Sequence, residues 1–290
     1  MQNVEKEVKR VITDNVYVKA AMLPFDSVAD YPSIRGLENV ILSNGKIVNV
    51  VSDNYGFISN QDFFGQFEKI LDAEHINYTA KYKNVNDTQF VADYFLEGEF
   101  LNVGKNAYAR GIDKIQPKIR LQNSYDGKIK LSGYFGFLRQ VCSNGLHVID
   151  NELAFELRRT KKNIEVVFPS MSEMLEEYKT NEMVKIHRSF EVLAERNVTD
   201  VKDLVKHLVN SNGIFKFEAS DKNPEPGSNG VLVLNTIAKE SQLLKTVPNA
   251  WIVYNAVNEW IYNDAINKKN EGERKNMDVK LFESVTKMFN

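Results

Sequence analysis

The sequence predicts an α+β chain, with antiparallel β-hairpins and one early helix in the first half and helices in the second. Two observations carry that expectation. Before residue 140, β-branched and aromatic runs alternate with polar residues around Asn-Gly and Asp-Gly turns; after residue 170, apolar residues return at helical spacing instead. This change of period suggests a β-rich core with a basic hairpin, 1–165, and a helical part, 166–290, packed on the same core or folded with it as a single domain.

The elements follow in order. Segment 39-NVILSNGKIVNVVS-52 sets Asn44-Gly45 between two β-branched runs, and a type I′ turn needs positive φ at both central positions, so a hairpin is expected. In 60-NQDFFGQFEKILDAE-74, Phe63, Phe64, Phe67, Ile70 and Leu71 form one apolar stripe behind a cap-type Asn60, the mark of an amphipathic helix. Segments 76-INYTAKYKN-84 and 88-TQFVADYFLEG-98 alternate and predict a second hairpin. The third is 117-PKIRLQNSYDGKIKLSGYFGF-137. There Ile119 and Leu121 alternate with Lys118 and Arg120, Asp126-Gly127 turns the chain, and Ile129 and Leu131 alternate with Lys128 and Lys130. A period of two sends the aliphatics inward and all four cations to one outer face.

Further on, 170-SMSEMLEEYKTNEMVKIHRSFEVLAERN-197 predicts a long helix capped by Ser170, and 199-TDVKDLVKHLVNSNG-213 a second one. The latter carries Val201, Leu204, Val205, Leu208 and Val209 on one stripe and stops at Gly213. Segment 220-SDKNPEPGSNG-230 reads as an exposed polar loop. Helices around 231–245 and 249–266, then a short one in the charged tail, complete the pattern.

With 43% hydrophobic and 26% charged residues, the composition is that of a globular chain rather than a disordered or fibrous one. No apolar run reaches the roughly 20 residues of a membrane span, and residues 1–15 lack the apolar core of a signal peptide. The single cysteine cannot close an intrachain disulfide, so a reducing cytoplasm is expected. His75, His147, His187 and His207 lie far apart and none has a metal-ligand spacing. Phosphate-loop, dinucleotide, zinc-protease, serine-hydrolase and calcium-loop motifs are all missing. No metal, cofactor or catalytic residue is therefore expected, and an enzyme is not the leading expectation.

Charge is uneven. Between Lys105 and Arg139 stand eight basic residues and two acidic ones, in a chain whose net charge is −2. Alternation explains why the hairpin cations face outward, not why acids are scarce among them. They make either a solvated face or a track for phosphates. Tyr134 and Phe135 lie nearby, and cations that follow a backbone beside rings that stack bases are how single-stranded nucleic acid is held. Arg139 either reaches out from the core edge or offers its fork to phosphate. Cys142 is either a small buried residue at the end of a strand or a nucleophile with His147 as its base.

The combination of 123-NSYDG-127, 139-RQVCSNGL-146 and 251-WIVYNAVNEWI-261, in that order, resembles the phage and plasmid protein family known as domain of unknown function 932. The early helix 56-GFISNQDFFGQFEKIL-71 is similar too, and the likeness extends over about residues 16 to 265. It implies a mobile-element setting in a bacterial host, with no established activity. It also makes Asn123, Asp126, Gly127, Cys142, Asn144 and Gly145 markers of the family. In outline, hairpins followed by a helix are similar to single-strand annealing proteins, which assemble into rings, so a homo-oligomer is one expectation.

The expected function is binding of nucleic acid, single-stranded DNA foremost, in recombination, annealing or replication. Lys118, Arg120, Lys128, Lys130 and Arg139 would meet phosphates while Tyr134 or Phe135 stacks a base. Two alternatives stand beside it: a virion or host-takeover protein that binds another protein through its helical half, and an enzyme using Cys142.

Overall fold

A computed structural model describes residues 14–28, 36–98, 101–104, 113–139, 145–146, 154–178, 183–220, 223–263, 266–269 and 271–289. Antiparallel sheets are joined by helices that lie mostly in the second half, so the chain is α+β as expected. It divides into two compact units that interleave along the sequence. One comprises 1–99, 118–135 and 150–180; the other comprises 100–117, 136–149 and 181–290.

The first unit begins with β1 (Ala20–Pro24), β2 (Asn39–Ser43) and β3 (Lys46–Val51), hydrogen-bonded in that order. Asn44 at φ 50° and Gly45 at φ 78° make the tight turn that their side chains predict. Helix α1 (Asn60–Ala73) follows, but its cap is Ser59, whose hydroxyl accepts from the Asp62 amide at 3.0 Å. Asn60 is already helical, and its side chain is buried.

Next come β4 (Tyr78–Asn84) and β5 (Gln89–Leu96), an antiparallel pair. A short β6 (Leu101–Val103) belongs to the second unit and pairs with the start of β7 (Asp113–Ser124). β8 (Leu131–Arg139) returns from the Asp-Gly turn, where Gly127 has φ 72°. β9 (Gly145–Leu146) pairs with the end of β8, and β10 (Ala154–Leu157) with its beginning. The main sheet runs β10-β8-β7-β5-β4.

Helix α2 (Lys161–Glu177) closes the first unit. It starts nine residues before the expected Ser170 and is capped by Thr160, whose hydroxyl accepts from the Asn163 amide at 3.2 Å. Pro169 lies inside it, tolerated at the cost of one helical hydrogen bond, which is why a start beyond the proline looks natural from sequence.

Alternation builds the core of this unit. Tyr78, Ala80 and Tyr82 of β4, Phe90, Ala92 and Tyr94 of β5, and Ile119 and Leu121 of β7 are buried. Against them lie Phe63, Phe64, Phe67 and Leu71 of α1, with Phe67 and Tyr94 rings 5.1 Å apart. Phe135 of β8 stacks on Tyr178 at 4.4 Å. One charged group enters this aromatic layer: the buried Glu68, whose Oε1 accepts from the hydroxyls of Tyr82, Tyr17 and Tyr94. Three phenols stand in for the water that the carboxylate gives up.

In the second unit, α3 (Met183–Glu195), α4 (Val201–Ser211), α5 (Ser228–Leu243) and α7 (Glu271–Phe289) all pack on α6 (Ala250–Tyr262). A helix buried on nearly every side belongs at a centre, and α6 buries eleven of its thirteen residues. α4 buries Leu204, Val205, Leu208 and Val209 of its predicted stripe and ends before Gly213 at φ 62°. Two expectations are corrected. The polar stretch 220–230 takes in the end of β11 (Glu218–Ser220), the antiparallel β12 (Asn223–Pro226) and then the first turn of α5. The last helix is long, at 19 residues. Among the described residues, no helix is long and apolar enough to cross a membrane.

Where α2 begins, the chain around Gly56 comes so close that a Cβ there would lie 2.4 Å from the Thr160 carbonyl oxygen. Because the obstructing atom is backbone, Gly56→Ala should destabilise by about 1–3 kcal/mol, seen as a lower urea midpoint. Gly65→Ala, inside α1 with nothing nearer than 3.4 Å, should instead stabilise by about 0.5–1 kcal/mol.

Candidate nucleic-acid interface

Of the residues expected to touch nucleic acid, Lys128 and Lys130 are exposed, Arg120 is partly covered on the outer face of the sheet, and the others are buried. Lys128 lies 4.0 Å from Asp126, and Lys130 pairs with Glu156 of β10. Lys118 is only 3% exposed, and Arg120 is 16% exposed with both fork nitrogens on Asp93 at 2.6 and 2.7 Å. Tyr134 and Phe135 are core residues, so neither presents a ring to a base. The expected outer face of four exposed cations is therefore corrected. Alternation sets side against side within a strand, but it cannot say which neighbours cover a side.

Arg139 departs furthest from expectation. It is 0% exposed, its Nε donates to Asp113 Oδ2 at 2.5 Å and its Nη1 to both oxygens of Glu240 at 2.8 and 2.7 Å. The Trp251 indole N–H donates to the same Asp113 oxygen at 2.7 Å, and the guanidinium lies 5.7 Å from the indole ring. Two carboxylates and a ring leave this arginine a structural role in the second unit, not a phosphate contact.

The cation-rich surface of the first unit is built differently. In the antiparallel register Lys81 stands opposite Asp93 and Asp93 opposite Arg120, so the three share one row across β4, β5 and β7. The adjacent rows are Lys83–Val91–Gln122 and Thr79–Phe95–Lys118, on the same face. Lys81 and Lys83 are exposed, and the Lys81 ammonium lies over the Phe95 ring at 5.1 Å. This face thus carries Lys81, Lys83, Lys118 and Arg120 around Asp93, with Glu97 beside Thr79 at its end. Burial alone would raise the Asp93 pKa, but Arg120, Lys118 and Lys81 outweigh it and hold it at about 2.

Sequence reasoning missed Lys81, Lys83 and Asp93. Their alternation is visible in 78–84 and 89–96, but the register that brings them beside Arg120 is not. Among the described residues, no group of three or more His, Cys, Asp or Glu side chains is arranged to hold a metal ion.

The marker turn 123–127 is a hydrogen-bonded knot. Asn123 donates to Asn60 Oδ1 at 2.6 Å and to the Ile58 carbonyl at 3.3 Å, and accepts from Arg159. Ser124 Oγ bonds both the carbonyl and the amide of Ile129, and the Tyr125 hydroxyl accepts from the Asn60 amide at 2.8 Å. Asp126 accepts from Thr88, Gln89 and the Lys128 amide at 2.9–3.0 Å. Those bonds override the effect of its burial and lower its pKa.

Comparison with protein families gives a match over residues 47–285 to the one described as Domain of unknown function (DUF932). The chain belongs to that family. No curated protein and no solved structure matches it. In this DUF932 chain, Asn123 ties the end of β7 to the start of α1 and to the residue before the α2 cap, Asp126 fastens the turn to the start of β5, and Gly127 supplies its positive φ. Cys142 and Asn144 lie outside the described residues, and Gly145 begins β9.

Two outcomes follow. Asn123→Ala should cost about 2–3 kcal/mol in chemical denaturation, because the buried Arg159 guanidinium loses its side-chain acceptor. The Asp93 pKa is depressed in the fold from its ordinary 3.8 to about 2, so its stabilisation is complete above about pH 4 and lost as pH falls toward 2. Asp93→Asn should therefore flatten the acid limb of a stability–pH curve by about 2 kcal/mol between those limits.

Proposed function

We propose that this chain binds nucleic acid through the phosphate backbone, on the face of β4, β5 and β7 where Lys81 and Lys83 are exposed beside Arg120, with the buried Lys118 adding its charge from behind. The observation that carries the reading is the cross-strand grouping of Lys81, Arg120 and Lys118 about Asp93, with Lys81 and Lys83 exposed at its edge. A surplus of fixed positive charge on a rigid sheet attracts a polyanion at long range and matches a repeating phosphate chain at short range. Lys128 and Lys130, both exposed, lie at the turn end of β7 and β8 in the same unit and add to the attraction. Because Tyr134 and Phe135 are buried, the contact proposed is with phosphates and not with stacked bases. Single-stranded DNA in recombination or replication remains the proposed setting, supported by the outline likeness to single-strand annealing proteins, and a phage or plasmid context by the family resemblance.

Filter binding of labelled single-stranded and duplex oligonucleotides tests this. Wild type should retain oligonucleotide at about 50 mM salt and lose it steeply toward about 200 mM, with a log–log slope of about −0.7 per phosphate on single strands. Replacing Lys81→Glu and Lys83→Glu together should weaken binding about tenfold or more and flatten the slope by about 1.4. Failure of wild type to retain either oligonucleotide at the lower salt overturns the reading.

A further inference from the structure

We infer that Asp93 is a built-in competitor for phosphate: it holds the Arg120 fork in the free protein and yields it to a backbone phosphate when nucleic acid arrives. The inference rests on the phosphate-binding reading of this face. Its basis is geometric. Arg120 meets Asp93 through two parallel N–H···O bonds at 2.6 and 2.7 Å, the arrangement that a guanidinium also makes with two phosphate oxygens. Both side chains are 16% exposed, so the pair is partly open to solvent on the outer face of the sheet.

The surroundings make the exchange feasible. Lys81 stands beside Asp93 on β4, and Lys118 lies in the next row of β7. When the fork leaves, Asp93 keeps two ammonium groups nearby and is not left as an uncompensated carboxylate, the state that makes breaking most ion pairs costly. The acidity of Asp93 is consistent with this, since all three cations contribute to it. A cation that was simply exposed would bind any anion. One already holding a carboxylate selects ligands that bring several phosphates at once, because a single weak anion cannot displace an intramolecular partner. The ligand class is accordingly a polyphosphate backbone rather than free phosphate.

A double-mutant cycle on oligonucleotide binding tests the exchange. Asp93→Asn should tighten binding about tenfold and steepen the salt slope by about 0.7, one more phosphate contact, because the Arg120 fork then loses the carboxylate that competes with phosphate for it. In an Arg120→Gln background, Asp93→Asn should change affinity less than about threefold and leave the slope alone. Equal tightening with and without Arg120 would mean that Asp93 only repels phosphate, and no tightening in Asp93→Asn would make the pair structural; either result overturns the inference. Nitrogen-15 NMR of the Arg120 Nε–H in wild type needs no folded Asp93 variant. Its signal, assigned by its loss in Arg120→Gln, should shift on oligonucleotide binding, and a fixed signal while other resonances move also overturns the exchange. If neither wild type nor Asp93→Asn binds oligonucleotide, both readings fall. If wild type binds and Lys81→Glu with Lys83→Glu weakens it but the cycle is flat, only the role of Asp93 falls.

Discussion

A guanidinium taken out of water must find acceptors, and each unit of this protein buries at least one among the described residues. In the first unit it is Arg159, which reaches Asn123 and the Ile129 carbonyl just before α2 begins. In the second it is Arg139, held between Asp113 and Glu240. An unpaired buried charge costs several kcal/mol, so the elements that supply those acceptors cannot move independently of the arginine. The end of β7, the start of α1 and the β10–α2 junction are therefore one mechanical piece, and so are the start of β7, the end of β8 and α5.

The same constraint explains why the hairpin looked more basic than it is. The residues between Lys105 and Arg139 contain few acids, but three of the cations there meet acids from far along the chain: Asp93 for Arg120, Glu156 for Lys130 and Glu240 for Arg139. A window of sequence measures local charge, whereas a sheet pairs charge across strands. The surplus on the face of β4, β5 and β7 comes instead from a different hairpin, through Lys81 and Lys83.

Much of the architecture was legible. Asn44-Gly45 turned with positive φ at both residues and Asp126-Gly127 with positive φ at Gly127, and the aromatic period of 60–74 and the aliphatic stripe of 199–213 became helices with those faces buried. Boundaries near proline were less so, because Pro169 sits inside α2 where a proline more often stops a helix. The candidate face was partly legible. Arg120 and Lys118 were named from their alternation, but Lys81, Lys83 and Asp93 were not, since register depends on how two strands pair and not on either strand alone.

Local conformation, then, was decided by the sequence itself: turn dihedrals, strand and helix periods and family membership follow from short stretches whose physics is contained in their neighbours. Which cations stay in water was decided only by tertiary structure. Arg139 and Arg120 differ little as sequence, yet one is buried between two carboxylates and the other lies at a sheet surface. Exposure depends on every element that packs over a side chain, and pairing depends on distant partners, as Glu240 lies 101 positions from Arg139. Neither property belongs to the residue or its neighbours, so neither can be read before the chain has folded.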